Sequence, residues 1–290
     1  MRSLPDFVST ITSNERTSLS FEFFPPKTPE GRITLEASIA ELLKHSPDFV
    51  SVTYGAMGSN QETSLEVVES LASRVPTIAH LTCIGSKRDQ IVQLLGRYES
   101  SGVAGLLALR GDLPAGHDVT PASDFTYALE LLELAKEHSE LQLGVAAFPE
   151  KHPESVSLEF DMEILKRKAE LGAEFAMTQL FFENHAFERL RDRALASGVD
   201  IPIVAGVMPI ANSKQVLRMA QMSGAAVPAD LVSALDNASS ESDAREIGME
   251  FTMNQVEALV DAEVPGIHIF TLNHHVAASE LVAGTRLSSR

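Results

Sequence analysis

The sequence has few of the residues that mark secreted or nucleic-acid-binding proteins. Its 290 residues include one cysteine, Cys83, and no tryptophan. A single cysteine forms no intramolecular disulfide, so nothing requires an oxidising compartment and we expect a cytoplasmic protein. Lysine and arginine number 23 against 40 acidic residues, for a net charge of −17. This charge repels phosphate backbones and anionic lipids, which argues against nucleic acids and membranes as partners.

Long apolar segments are missing as well. The most apolar run, residues 102–109, is far shorter than the roughly 20 residues that cross a bilayer. Residues 1–17 mix charged and apolar side chains and lack the continuous hydrophobic stretch of an export signal. With 44% hydrophobic and 22% charged residues, the composition is typical of a globular protein with a substantial core. We therefore expect a soluble protein.

Short apolar or β-branched runs recur along the chain, each followed by a turn signal and an amphipathic helical pattern. This alternation predicts a parallel sheet, because parallel neighbours need a helical crossover. Eight such units favour a closed (β/α)8 TIM barrel over an open doubly wound sheet. The predicted strands are 19–24, 48–54, 77–83, 105–109, 142–148, 174–180, 202–207 and 266–272.

The seventh connection is longer than the others. Residues 208–265 hold more than one helical pattern, interrupted by Pro228 and a polar stretch over 237–243. This predicts extra helices in the seventh βα connection, and we expect residues 1–290 to form one domain. The first helix predicted in this connection is 213–222, and the helices predicted in the earlier connections are 33–44, 64–72, 89–100, 126–138, 160–171 and 186–197.

Polar residues occupy one parity of several predicted strands. Because alternate residues of a barrel strand face inward, Ser20 and Glu22 are expected inside, with Phe21 and Phe23 outside. In isolation Glu22 can also be read as a structural acid paired with an arginine. Polar residues from different strands are expected to converge at the carboxyl-terminal mouth, where barrel enzymes hold their chemistry. These are Glu22, Thr53, His80, Arg110, Asp112 and Gln179.

Other motifs are absent. Neither G-x-G-x-x-G nor the P-loop pattern occurs, and no H-E-x-x-H or cysteine cluster indicates a metal, so we predict none. The adjacent His274 and His275 point to opposite faces of a strand or helix. Cys83 lacks an evident base and is interpreted as a small buried residue.

Seven segments in chain order identify a family. They are SFEFFPPKT at 20–28, VSVTYGA at 50–56, HLTC at 80–83, LRGDLP at 109–114, AAFPEKHP at 146–153, TQLFF at 178–182 and FTLN at 270–273. Together they resemble the methylenetetrahydrofolate reductase family, in particular its bacterial members, which consist of the catalytic barrel only. The resemblance implies FAD bound at the strand ends. It also implies reduction of 5,10-methylenetetrahydrofolate to 5-methyltetrahydrofolate by NADH or NADPH in a ping-pong cycle, a step of one-carbon metabolism and methionine biosynthesis.

The resemblance also implies roles for individual residues. Glu22 matches the general acid, Asp112 the acid between flavin and folate, and Gln179 the glutamine that meets both substrates. Gln215 matches a further substrate contact. The implied flavin contacts are Thr53, Tyr54, Ala56, His80, Arg110, Gly111, Asp112, Tyr127, Ala128, His152, Asp161, Arg167 and Lys168.

Some peripheral positions depart from the best-known bacterial pattern. Phe148, Ile164, Met219, Phe270 and His274 stand where that pattern has other side chains near flavin or folate. Two alternatives therefore stay open: a flavin-independent reductase of the same folate with direct hydride transfer, and a non-catalytic folate-binding barrel. Family members form dimers and tetramers, so the resemblance implies a homo-oligomer.

Overall fold

Eight parallel strands close into a barrel. The structure is a computed structural model that describes residues 6–13, 16–54, 61–112 and 123–288, without the side chains at 213 and 215. Within these residues each strand pairs with the next in sequence, and β8 pairs with β1, which confirms the predicted (β/α)8 barrel. The strands are β1 (Ser18–Phe23), β2 (Phe49–Val52), β3 (Thr77–Thr82), β4 (Gly105–Leu109), β5 (Gln142–Ala147), β6 (Phe175–Thr178), β7 (Ile203–Val207) and β8 (Gly266–Phe270).

Helices surround the barrel and connect its strands. Three of them lie between β7 and β8, which confirms the extra helices predicted in the seventh connection. No helix within the described ranges combines the length and apolar character needed to cross a lipid bilayer. The helices are α1 (Phe7–Thr12), α2 (Pro29–Leu42), α3 (Gln61–Ala72), α4 (Arg88–Ser100), α5 (Ala128–His138), α6 (Leu158–Glu170), α7 (Asn184–Ala196), α8 (Ser213–Ser223), α9 (Ala229–Asp236), α10 (Glu241–Asp261) and α11 (His275–Ala283).

Helix α2 begins at Pro29 and not at the predicted residue 33. The reason is a cap that the apolar pattern does not reveal. The Thr28 hydroxyl accepts a hydrogen bond from the Gly31 N–H at 3.0 Å, and Pro29 occupies the first helical position. Both features stabilise a helix start, so α2 starts one turn earlier.

The barrel lumen has its own apolar cluster, separate from the layer between strands and helices. Inward residues such as Phe49 and Phe175 pack there against Phe7 and Ile11 of α1. The Phe7 ring lies 5.2 Å from that of Phe49 and 4.9 Å from that of Phe175. Because Phe49 and Phe175 are the first residues of β2 and β6, α1 closes the amino-terminal end of the lumen. The hydrophobic periodicity of this short segment did not predict α1.

Candidate active site at the carboxyl-terminal end of the barrel

Glu22 lies inside the barrel, one residue before the end of β1. It is 6% exposed and pairs in register with Ser51 of β2 and Phe270 of β8. Its Oε2 atom lies 3.8 Å from Nε2 of His80 and 3.9 Å from Nε2 of His268. Both distances are longer than hydrogen bonds. Two histidine rings therefore flank the carboxyl group without tying it down.

Both histidines are held neutral. Burial lowers the pKa of His80 to about 4 and that of His268 to about 3. The His268 ring lies between two hydroxyls, with Nδ1 2.7 Å from Ser20 Oγ and Nε2 3.1 Å from Ser51 Oγ. His80 Nε2 is buried and has no hydrogen-bond partner among the described residues. Because both rings are neutral near pH 7, neither offers Glu22 a full positive charge, and the influence of His80 in favour of ionised Glu22 is smaller than the opposite effect of burial.

The Glu22 carboxyl is accordingly a weak acid. Burial raises its pKa from 4.5 to about 7, against a smaller lowering by His80. A carboxyl that keeps its proton near neutral pH can act as a general acid. The alternative reading of Glu22 was a structural acid paired with an arginine. Among the described residues its close titratable neighbours are instead the two histidines.

We expect the stability difference between wild type and Glu22→Gln to depend on pH. Folded Glu22 titrates near 7 and the unfolded residue near 4.5, so between these values only the native state keeps the proton. Wild type should therefore lose stability relative to the variant as pH rises through this window, by at most about 1.4 kcal/mol per pKa unit. Both histidines remain in the variant, so their own effect on the pH dependence of stability largely cancels when the two proteins are compared.

Urea denaturation of both proteins at about pH 5 and about pH 8 measures this difference. An equal difference at the two pH values would show that Glu22 titrates as an ordinary exposed carboxyl.

The segment after β4 turns sharply at the mouth. Gly111 has a φ of +86°, and a Cβ there would lie 2.9 Å from Cβ of Thr82, so both backbone and space require glycine. On either side of it, Arg110 is half-buried and Asp112 is exposed. The turn thus presents a cation and a carboxylate directly after the strand.

Gln179 follows the end of β6. Its N–H donates to the Ala147 carbonyl at 2.9 Å, and its Oε1 accepts from the Leu180 N–H at 2.9 Å. The side-chain NH2 group has no hydrogen-bond partner among the residues that the structure describes, so it can act as a donor. The side chain of Gln215 and the whole of Ala56 lie outside the described residues, so their predicted roles stay predictions.

A cavity of about 540 Å³ lies beside the ends of β4 and β5, between α5 and α6. Its walls combine apolar side chains such as Leu158, Met162 and Leu165 with several cations. Seven of the predicted flavin contacts line it: Arg110, Tyr127, Ala128, His152, Asp161, Arg167 and Lys168.

Lys168 is the most confined cation of this cavity. Its Nζ donates to the Ala146 carbonyl at 3.3 Å, and burial lowers its pKa to about 8 although Asp161 favours the charged form. Asp161 is itself engaged, because its Oδ2 accepts the His152 N–H at 2.6 Å. Cations beside an apolar wall suit a ligand that joins phosphate groups to flat rings.

A second cavity, of about 610 Å³, lies across the mouth between the segments that follow β1, β2 and β8. It contains Thr53 and Tyr54, which were also predicted to contact flavin, together with Lys27 and His274. Nine of the predicted flavin contacts are therefore divided between the two cavities. His80 lies deeper, beside Glu22, and Gly111 and Asp112 line neither cavity. No group of three or more His, Cys, Asp or Glu within the described ranges is placed to hold a metal ion.

Sequence reasoning missed His268. The residue lies on the same inward parity of β8 as Phe270, and the strand pattern that placed Ser20 and Glu22 inside applies to it equally. Its contact with Ser51 crosses over β1, which lies between β8 and β2, and this cross-lumen contact has no sequence signal.

A parallel eight-stranded barrel with a buried acid and two cavities at its carboxyl-terminal end has the architecture of barrel enzymes. Within that class, the chain belongs to the methylenetetrahydrofolate reductase family, whose model matches residues 8–285. The 5,10-methylenetetrahydrofolate reductase of Escherichia coli (strain K12) is 37% identical over 259 residues, which are 88% of this chain and 86% of that protein. Methylenetetrahydrofolate reductase (NADH) 1 of Arabidopsis thaliana is 33% identical over 92% of this chain and 48% of its own length.

Among solved structures, an uncharacterized protein from Clostridium thermocellum that binds two copies of 5-methyl-5,6,7,8-tetrahydrofolic acid has a TM-score of 0.64. The match covers 97% of this chain and 96% of that one at 15% identity. At this identity the likeness shows a shared fold.

Proposed function

We propose that this protein reduces 5,10-methylenetetrahydrofolate to 5-methyltetrahydrofolate at the expense of NADH or NADPH, with bound FAD. The observation that carries the proposal is Glu22: a buried carboxyl at the barrel mouth with a pKa of about 7 and two neutral histidines beside it. Family membership and the names of the relatives support the same reaction. NADH is the donor named for the plant relatives.

The chemistry explains why a protonated acid is needed. In the substrate one carbon bridges two nitrogens, and it accepts hydride readily only after one carbon–nitrogen bond has opened to an iminium ion. Glu22 donates its proton to the departing nitrogen, so the bond breaks without forming an amide anion. An ionised carboxylate cannot do this, and a pKa near the working pH keeps a useful fraction of Glu22 protonated.

The residues of the 540 Å³ cavity would hold the FAD. Lys168 and Arg167 provide charge for the diphosphate, and the apolar wall suits the adenine ring. FAD bound there would supply the redox chemistry, hydride transfer from the nicotinamide to the folate in separate, ping-pong half-reactions.

Asp112 and Gln179 would orient the substrates. The exposed carboxylate of Asp112 can accept hydrogen bonds from the amino group of the pterin ring. The free NH2 group of Gln179 can donate to either substrate in turn, because both occupy the same face in a ping-pong cycle.

Replacing Lys168 by methionine should weaken FAD binding by about 10- to 100-fold. A charge-assisted hydrogen bond to phosphate contributes about 1.5–3 kcal/mol, and methionine keeps the length of the side chain without its charge. Quenching of flavin fluorescence on titration of the apoprotein measures the affinity. Lys166→Met is the matched control, since Lys166 is exposed on the same helix. An equal loss of FAD affinity in both variants would show that the effect comes from net charge and not from the position of Lys168.

The absorbance spectrum and turnover of the purified protein test the function. A yellow protein that oxidises NADH only when methylenetetrahydrofolate is present agrees with the proposal. A colourless protein with the same turnover would favour direct hydride transfer, and binding of folate without turnover would favour a non-catalytic barrel.

A further inference from the structure

Arg110 is already engaged by an anion. Its Nη1 lies 2.5 Å from Oε2 of Glu154 and its Nη2 lies 2.8 Å from Oε1, so the guanidinium and the carboxylate meet through two parallel hydrogen bonds. Arg110 follows β4 and Glu154 belongs to the segment between β5 and α6. Both side chains line the 540 Å³ cavity. The pair therefore closes part of the space that the proposed FAD would enter.

The two partners differ in their freedom to move. The Arg110 side chain is 24% exposed, and its Nε donates to the Gly111 carbonyl at 3.2 Å. The Glu154 side chain is 59% exposed. Its backbone N–H donates to His152 Nδ1 at 3.1 Å, which fixes the main chain, while among the described residues the carboxylate is tied only to Arg110. The Glu154 side chain can therefore turn fully into solvent, where water hydrates its carboxylate, while Arg110 stays in the cavity wall.

A phosphate group and a carboxylate fit the same guanidinium fork, since both offer two oxygens in one plane. The other acid of the cavity, Asp161, accepts the His152 N–H and does not contact Arg110. Asp112 also acts on Arg110 electrostatically, but Glu154 is the carboxylate that occupies the guanidinium fork before a ligand arrives.

We propose that Glu154 occupies the phosphate-binding face of Arg110 and that the diphosphate of the flavin displaces it, so that Glu154 sets the affinity for phosphorylated flavins. This inference rests on the proposed function, because it takes FAD as the ligand of the cavity. The proposed function names residues that favour FAD binding, and this inference adds Glu154 as a residue that weakens it.

Titration of the apoprotein with FAD and with riboflavin, followed by flavin fluorescence, tests the inference. Glu154→Gln keeps the shape of the side chain but cannot neutralise Arg110, so it should tighten FAD binding by about three- to tenfold. Riboflavin carries no phosphate, and its affinity should not change. Glu163→Gln removes the same charge from an exposed position on α6 and should leave both affinities unchanged.

The Arg110→Gln background separates this displacement from a general effect of charge. In that background Glu154→Gln should no longer alter FAD affinity, because the guanidinium for which carboxylate and phosphate compete is gone. Unchanged or weaker FAD binding by Glu154→Gln alone would overturn the inference, as would equal tightening in the Arg110→Gln background. If wild type and every variant fail to bind FAD, the proposed function fails instead.

Discussion

Glu22→Gln is expected to slow reoxidation of the reduced flavoprotein by methylenetetrahydrofolate by about 10²- to 10⁴-fold, the contribution of a positioned general acid. Glutamine keeps the volume and hydrogen-bonding atoms of the side chain but has no proton of suitable acidity. Reduction of the same protein by NADH requires no proton from Glu22 and should stay near the wild-type rate. Stopped-flow absorbance of the flavin measures the two half-reactions separately.

Two further variants make this experiment specific. Glu22→Asp retains a carboxyl group on a side chain one methylene shorter, so it should recover part of the lost rate. Glu36→Gln removes the same charge from an exposed position on α2 and should behave as wild type. If the reduced flavin of Glu22→Gln is reoxidised at the wild-type rate, Glu22 is a structural acid and the proposed mechanism is wrong. A parallel loss in both half-reactions would indicate damage to the whole site.

Phe7→Ala is expected to lower the free energy of unfolding by about 3–5 kcal/mol, the usual effect of removing a buried phenylalanine ring. Phe7 is 2% exposed and packs on the rings of Phe49 and Phe175 at the base of the lumen. A Cβ on Gly105 would lie 2.8 Å from the Phe7 ring, so the barrel wall is shaped around it. The residues around the ring belong to several strands and cannot collapse inward to fill the space.

Urea denaturation followed by circular dichroism measures the effect. Phe7→Leu keeps most of the apolar volume and should lose less stability than Phe7→Ala. Thr10→Ala changes an exposed residue of the same helix and should stay within about 0.5 kcal/mol of wild type. A loss below about 1 kcal/mol for Phe7→Ala would show that α1 contributes little to closing the lumen.

Much of the barrel could be predicted from the sequence, because its strands are short, apolar and separated by helices of regular length. All eight predicted strands overlap the observed ones, and β4 has the predicted limits, Gly105–Leu109. Helix ends were less predictable, as α2 shows, because a cap depends on one hydroxyl and one N–H and not on periodicity. The alternation of polar and apolar residues on β1 also placed Ser20 and Glu22 inside the barrel.

Contacts between distant segments could not be predicted in this way. Hydrophobic periodicity is a local property, whereas α1 is held in the lumen by rings from β2 and β6 and by the Gln142 Oε1, which accepts the Phe7 N–H at 3.0 Å. The pair of Arg110 and Glu154 joins residues 44 positions apart. Nothing in either local sequence indicates the other.

The sequence by itself determined the fold class, the family and the side of the barrel on which the residues of β1 lie, because these follow from local pattern and motif order. Only the tertiary structure decided the environment of Glu22. Its elevated pKa results from burial, and the two histidines beside it are neutral and lie on β3 and β8, strands that meet only across the closed lumen. A pKa depends on the water and charge within a few ångströms of the group, and it is barrel closure that excludes the water and sets those neighbours.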